Sequence, residues 1–249
     1  MVYTTLMTVR RSTFNKITYL KWPSPEWFHV PLLGEWIWLK TIMYWLSLTT
    51  WDSWRINLHI PFAGERMSNN ASLRSQTTIW VYWSSVASSA EWYYFSLTQS
   101  TVSFGGAYCT FWYSIRCFRD SYATPDSSWT VVQWTLWGAW IFWNQSEWLI
   151  SITDGSTWYT IMDKNLWATV VYNDWDTLTE ANMGYMYQWW NNHWFKSTWT
   201  ITKTSSTKVD ASWYWPSNPY SSDTFIVWNG NWSSVTNEDL RWYVSYNNS

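Results

Sequence analysis

Apolar and polar positions are organised most clearly over residues 127–172, where short runs rich in β-branched and aromatic residues are separated by turn formers. The runs at 129–134, 147–153, 158–162 and 166–172 fit a pleated, half-buried surface better than a helix. Direction changes are expected at Asn144-Gln145-Ser146 and at Asp154-Gly155-Ser156. Asp-Gly is a hairpin signal because a type I′ turn needs φ > 0 at both central residues, which these two tolerate. A β-meander is therefore predicted, and the rest of the chain is placed around it.

Upstream, residues 13–22 alternate Phe14, Lys16, Thr18 and Leu20 with Asn15, Ile17, Tyr19 and Lys21, a mixed pattern that suits an edge strand. Pro23, Pro25 and Pro31 exclude regular ladder pairing after it. Residues 36–48 are apolar on nearly every side, so period 2 fails and a buried helix is expected. Residues 54–60 give the cleanest amphipathic strand pattern: Trp54, Ile56, Leu58 and Ile60 inward, with Arg55, Asn57 and His59 facing solvent. A loop at 61–75 leads to a strand at 76–83, then a loop or helical turn at 84–90, strand structure at 91–104, a break at Gly105-Gly106 and a long aromatic strand at 107–118. Pro125-Asp126 marks a turn into the meander. Beyond it, Thr177 and Glu180 have capping-box spacing and predict a short helix over 178–190. Strands are expected at 198–203 and 224–228, a loop between them, and a hairpin at Asn229-Gly230. No repeat of fixed period is present, which disfavours a propeller or solenoid.

Composition sharpens this β-rich picture. The 249 residues include 29 Trp against 8 Gly, and aromatics make up 22% of the chain; average usage is far lower in Trp. Net charge is −2 with 13% charged residues, and no basic run exceeds Arg10-Arg11. Direct nucleic-acid binding by this chain is thus expected to be weak or absent, because phosphate affinity grows with the number of cations engaged. Residues 1–21 are mildly basic and show no apolar stretch of signal-peptide length. The run at 32–48 is interrupted by Glu35 and Lys40 and is shorter than the ~20 residues that cross a bilayer, so no membrane span is expected. Cys109 and Cys117 would lie roughly 26 Å apart in one straight strand at ~3.3 Å per residue, and two buried thiols without a disulfide, in a reducing compartment, are expected.

Chemistry-bearing motifs are few. The sequence holds no phosphate-binding glycine loop, nucleophile elbow, His-Glu-x-x-His or Cys-x-x-Cys. His29, His59 and His193 are too separated to define a site, and Asp126, Asp154, Asp163 and Asp223 sit in turns, where local hydrogen bonding explains them. Asp174-Trp175-Asp176 after Asn173 could offer oxygen ligands to a divalent cation, though turn-stabilising side chains are the simpler explanation. Aromatic richness would suit a glycosidase, but no carboxylate pair stands out. A non-enzyme without a cofactor is the expectation.

In the order of its segments the chain resembles the jelly-roll coat proteins of picornavirus-like capsids. The likeness is carried by the strand ending in Ile17-Thr-Tyr-Leu-Lys-Trp22, the Pro31-Leu-Leu-Gly-Glu35 helix start, Trp51-Asp-Ser-Trp-Arg-Ile-Asn-Leu-His-Ile60, the aromatic stretch 92–104 and the meander 128–162. It departs from the family at Ser84-Ser85-Val86 and Gly106-Ala107-Tyr108, where proline or glycine is usual. The resemblance implies an all-β fold, a jelly-roll antiparallel β-sandwich with short helices and a β-rich C-terminal extension. It divides the chain into an N-terminal arm (1–12), a jelly-roll domain (13–165) and an extension or projecting domain (166–249). It also implies a structural capsid subunit, partnered by other subunits in a shell and assembled in the host cytoplasm. The alternative is a secreted or surface carbohydrate-binding sandwich, with Trp213, Trp215, Trp228 and Trp232 as the stacking residues near loops.

Overall fold

A computed structural model describes residues 24–25, 27–87, 91–120, 125–134, 139–173, 176–188, 191, 193–198, 200–210 and 221–228. The predicted strand at 13–22, the arm at 1–12, Asp174-Trp175 and the Asn229-Gly230 hairpin lie outside these residues.

The described chain is mostly β-strand in antiparallel and mixed sheets, with few short helices. In chain order, β1 (Phe28–His29) is followed by α1 (Leu33–Trp45), α2 (Trp51–Leu58), β2 (Glu65–Arg66), β3 (Leu73–Arg74), β4 (Ile79–Ala87), β5 (Trp92–Thr98), β6 (Val102–Ala107), β7 (Trp112–Ser114) and β8 (Phe118–Arg119). Then come β9 (Thr130–Trp134), β10 (Trp140–Asn144), β11 (Leu149–Thr153), β12 (Trp158–Met162), α3 (Glu180–Met183), β13 (Tyr185–Gln188), β14 (Phe195–Lys196), β15 (Thr204–Ser205) and β16 (Phe225–Ile226). One sheet has the order β1-β8-β12-β11-β10-β9; a second has β14-β13-β7-β4-β5-β6, with β2 bridging β3 and β7; β15 and β16 form a small parallel pair. Strands from beyond residue 166, β13 and β14, thus extend the second sheet directly.

Three of the predicted runs form meander strands, β9, β11 and β12, but the strand between β9 and β11 is β10, over residues 140–144 where no strand was expected; the register is Ile150↔Ile161 and Ile141↔Ile152. Its last turn differs from a two-residue type I′ loop. Thr153 pairs with Trp158, so four residues connect the strands; Gly155 alone takes positive φ, and the Asp154 carboxylate accepts from the backbone N–H groups of Ser156 (2.9 Å) and Thr157 (2.7 Å). Residues 166–172 form no strand; the N–H groups of Thr169 and Val170 donate to the Ala181 carbonyl instead.

Helix α1 forms as expected, and its buried residues Glu35, Trp36, Trp38, Leu39, Ile42 and Met43 follow the 3.6-residue period. Trp36 stacks on Phe95 of β5 (centroids 4.7 Å apart, rings 7° from parallel), and the same core takes Ile141, Ile150, Ile152 and Ile161 from the meander. Each such fully buried side chain contributes about 1.5–3 kcal/mol of transfer free energy. The helices and the meander sheet share this core with one face of the second sheet, through Trp80 and Tyr82 of β4; Val81 and Trp83 point into a separate cluster on the opposite face.

Residues 54–60 are not a strand. Thr50 caps α2, its hydroxyl accepting from the Ser53 N–H at 3.2 Å, Arg55 pairs with Asp52 at 2.8 Å, and His59 ends the helix in the left-handed region at φ 52°. Ile56 is consequently exposed, while Trp54, Arg55, Asn57 and Leu58 are buried. The expected break at Gly105-Gly106 lies inside β6, paired with Tyr94 and Tyr93. The expected long strand at 107–118 divides into β7 and β8, between which the chain passes from one sheet to the other. At that crossing Arg116, fully buried, donates to the carbonyls of Leu58, His59 (2.9 Å) and Asp163 (3.0 Å), placing a cation at the C-terminus of α2. Strand β4 continues through residues 84–87, where a loop or turn was expected. The helix predicted over 178–190 is one turn that stops at Gly184, at φ 67°, where the added Cβ of any other residue would lie 2.6 Å from the Leu166 carbonyl oxygen; β13 then pairs with β7.

Candidate functional site

On the face of the second sheet turned away from α1, a cleft of about 310 Å³ opens between β2, β3, β4, β5, β6 and β7. Its chemistry comes from Glu65, Arg74, Glu91, Tyr94, Tyr108, Phe111 and Tyr113. The antiparallel β4–β5–β6 register places these groups: Tyr94 lies opposite Gly105, and a Cβ at 105 would come within 2.5 Å of the Tyr94 hydroxyl oxygen. The Glu91 carboxylate lies over Gly106 in the same way. The two glycines read as a break in the sequence are thus the places where a tyrosine and a glutamate fold flat onto the strand beneath them.

Glu65 is buried and holds the Arg74 guanidinium (Nε to Oε1, 2.8 Å). Burial first, then the charges of Glu65 and Glu91, raise the Tyr94 pKa; burial and Glu65 raise that of buried Tyr113. Both phenols therefore stay neutral at physiological pH. The rings of Tyr94 and Tyr113 meet edge to face (centroids 5.3 Å, 71°), and Phe111 is inclined to Tyr113 by 36° at 5.9 Å. Glu65 and Glu91 are two carboxylates of one cleft that no sequence signal singled out.

The three histidines fall in separate surroundings. His29 is fully buried between two carboxylates, Nδ1 facing Asp120 at 2.9 Å and Nε2 facing Glu35 at 3.0 Å. Burial lowers its pKa, but Glu35 and Asp120 outweigh that and raise it to about 9, so His29 is an imidazolium that ties β1 to the start of α1 and the end of β8. Glu35 also accepts from the Leu32 N–H at 2.8 Å. His59 is buried rather than solvent-facing, with Nδ1 3.1 Å from the Tyr172 carbonyl oxygen; burial and nearby Arg116 lower its pKa to about 4. His193 lies beside Trp194 and Phe195.

Among the acids, Asp126 and Asp154 stabilise their own turns, the Asp126 carboxylate accepting from the Ser128 N–H at 2.7 Å. Asp223 pairs with Lys203. Asp163 is instead fully buried and accepts from the Trp143 indole N–H at 2.9 Å, with its pKa raised by burial. Asp176 accepts from the Asn173 N–H at 2.8 Å, a turn contact, and no group of three or more His, Cys, Asp or Glu able to hold a metal occurs among the described residues. Cys109 and Cys117 are buried thiols that form no disulfide, and burial pushes the Cys117 pKa up to about 12. Of the four tryptophans considered for sugar binding, Trp213, Trp215 and Trp232 lie outside the described residues. Trp228 is exposed, with Lys208 Nζ 5.1 Å from its ring centroid and its backbone held by Ser68 and Thr110.

Comparison with protein-family models, with curated proteins and with solved structures finds no match. The site is therefore read from its own chemistry. Among the described residues no helix is long and apolar enough to cross a membrane.

Proposed function

We propose that this chain is a non-catalytic structural subunit that assembles with further subunits into a shell, as a capsid protein does. The observation that carries this reading is the exposure of large apolar side chains on a chain poor in charge: Trp27, Trp45 and Trp167 are 65%, 60% and 56% exposed, and Tyr44 and Val170, near two of them in sequence, are exposed too. Exposed apolar groups beyond scattered single residues mark association surfaces, and the centres of such surfaces are rich in aromatics and depleted in charge. The fold proposed with it is a jelly roll. Strand β8 precedes the meander yet lies beside its last strand, β12, which is a Greek-key type of closure carrying one extra strand. Assembly in the cytoplasm of a host fits two buried thiols that form no disulfide.

The test is the mass of the full chain by light scattering across a concentration series, alongside the surface variants Trp45→Lys and Trp167→Lys. Assembly of the wild type, with a shift of both variants towards the monomer, supports the proposal. A wild type that stays monomeric while binding a defined oligosaccharide through Trp228 replaces it with the carbohydrate-binding alternative.

A further inference from the structure

The cleft over β4–β6 has features that a wedge in a shell does not need. Three aromatic rings meet there at an angle, forming a corner rather than a flat platform. Its charged lining residues are Glu65 and Glu91 against Arg74, an excess of one negative charge, and Arg74 is already engaged by Glu65. We propose that this cleft binds a small organic cation of the methylated-ammonium type, its head seated among Tyr94, Phe111 and Tyr113 and faced by the carboxylates of Glu65 and Glu91.

Shape and charge together select this class. A sugar ring stacks on a flat aromatic face, whereas a tetra-alkylated ammonium is nearly spherical and diffuse in charge, so it gains from several inclined faces at once. An anion would meet the excess negative charge. A hard metal ion needs several oxygen ligands at 2–2.6 Å, and the described residues supply no cluster of three acidic, histidine or cysteine groups. Burial is the larger cause of the raised pKa values of Tyr94 and Tyr113, but the charge of Glu65, and at Tyr94 that of Glu91, adds to it, and those carboxylates favour a cation in the same space. Gly105 and Gly106 maintain the cavity, because a side chain at either position would collide with Tyr94 or Glu91 and push it into the opening.

The inference holds whether or not the chain assembles. Titration calorimetry on the full chain with tetramethylammonium chloride, choline and the uncharged carbon isostere of choline, dimethylbutanol, provides the test, with phosphatidylcholine vesicles and a panel of monosaccharides as further arms. Saturable binding of both cations, with the neutral isostere about tenfold weaker or more, is expected, since cation–π and carboxylate contacts together exceed ~1.4 kcal/mol. Binding of the free cations identifies a soluble ligand; binding of the vesicles alone identifies the same head delivered by a lipid. Glu91→Gln should weaken binding about fivefold or more with an unchanged far-ultraviolet circular dichroism spectrum; should that variant not fold, Phe111→Ala, which removes one of the three rings around the head, carries the same expectation. Equal affinity for choline and dimethylbutanol, monosaccharide binding without choline binding, or undiminished affinity in a folded cleft variant overturns the assignment.

Discussion

Leu58 and Ile56 occupy the same alternating apolar set, so in a strand they would share a face and a fate, whereas the helical geometry of α2 separates them. Leu58 is 0% exposed and Ile56 is 43% exposed. Truncating Leu58 to alanine removes about 2 kcal/mol of transfer free energy at ~0.8 kcal/mol per methylene and leaves a cavity, for a total of about 2–5 kcal/mol. At Ile56 roughly half of the side chain is already in water, which leaves about 1 kcal/mol of transfer, and alanine recovers several tenths through helix propensity. The net cost at Ile56 should be below about 1 kcal/mol. Urea denaturation of the two variants, read by circular dichroism and by the many tryptophans, measures both. A gap of about 2 kcal/mol or more agrees with the helix. Comparable losses at both positions would return residues 54–60 to a strand and refute the cap at Thr50 as the deciding signal.

The His29 imidazolium makes stability depend on pH in a definite direction. Its pKa is raised from 6.5 to about 9, so its contribution is complete below 6.5 and is lost as pH climbs through about 9; the shift corresponds to on the order of 3 kcal/mol. Between those pH values the wild-type urea midpoint should fall relative to that of His29→Gln, and parallel curves for the two proteins would show that Glu35 and Asp120 do not hold the proton there. Cys117 is buried and its pKa lies near 12, so a thiol reagent at pH 8 should label it only after denaturant is added. Rapid labelling of the native chain would show that this thiol is open to solvent.

Local signals made the meander and α1 legible. Turn residues at Asn144 and Asp154 bound β11 and β12, whose runs were read as strands, whereas the apolar, non-alternating run that holds β10 was not; α1 is apolar over a length that suits a helix better than a strand. At α2 two signals conflicted: the period-2 apolar set is real, but the Thr50 cap and the Asp52–Arg55 pair favour a helix and prevailed, leaving Ile56 exposed while Trp54 and Leu58 are buried. The glycines of β6 read as a break because their purpose lies in the neighbouring strand, where Tyr94 and the adjoining Glu91 rest on them. The same non-locality hid the site. Glu65 and Glu91 come to line one cleft only through the pairing of β2 with β7 and of β4 with β5, and Asp120 reaches His29 across the β1–β8 pair. A single sequence encodes these pairings in register and packing rather than in spacing.

Negative-stain electron microscopy of the purified full chain tests the central claim most directly. Uniform closed particles, lost or fragmented in the Trp45→Lys and Trp167→Lys variants, are the predicted result. A field of single molecules of one domain's size, unchanged at the highest attainable concentration, would contradict a subunit whose exposed aromatic rings are covered by its neighbours.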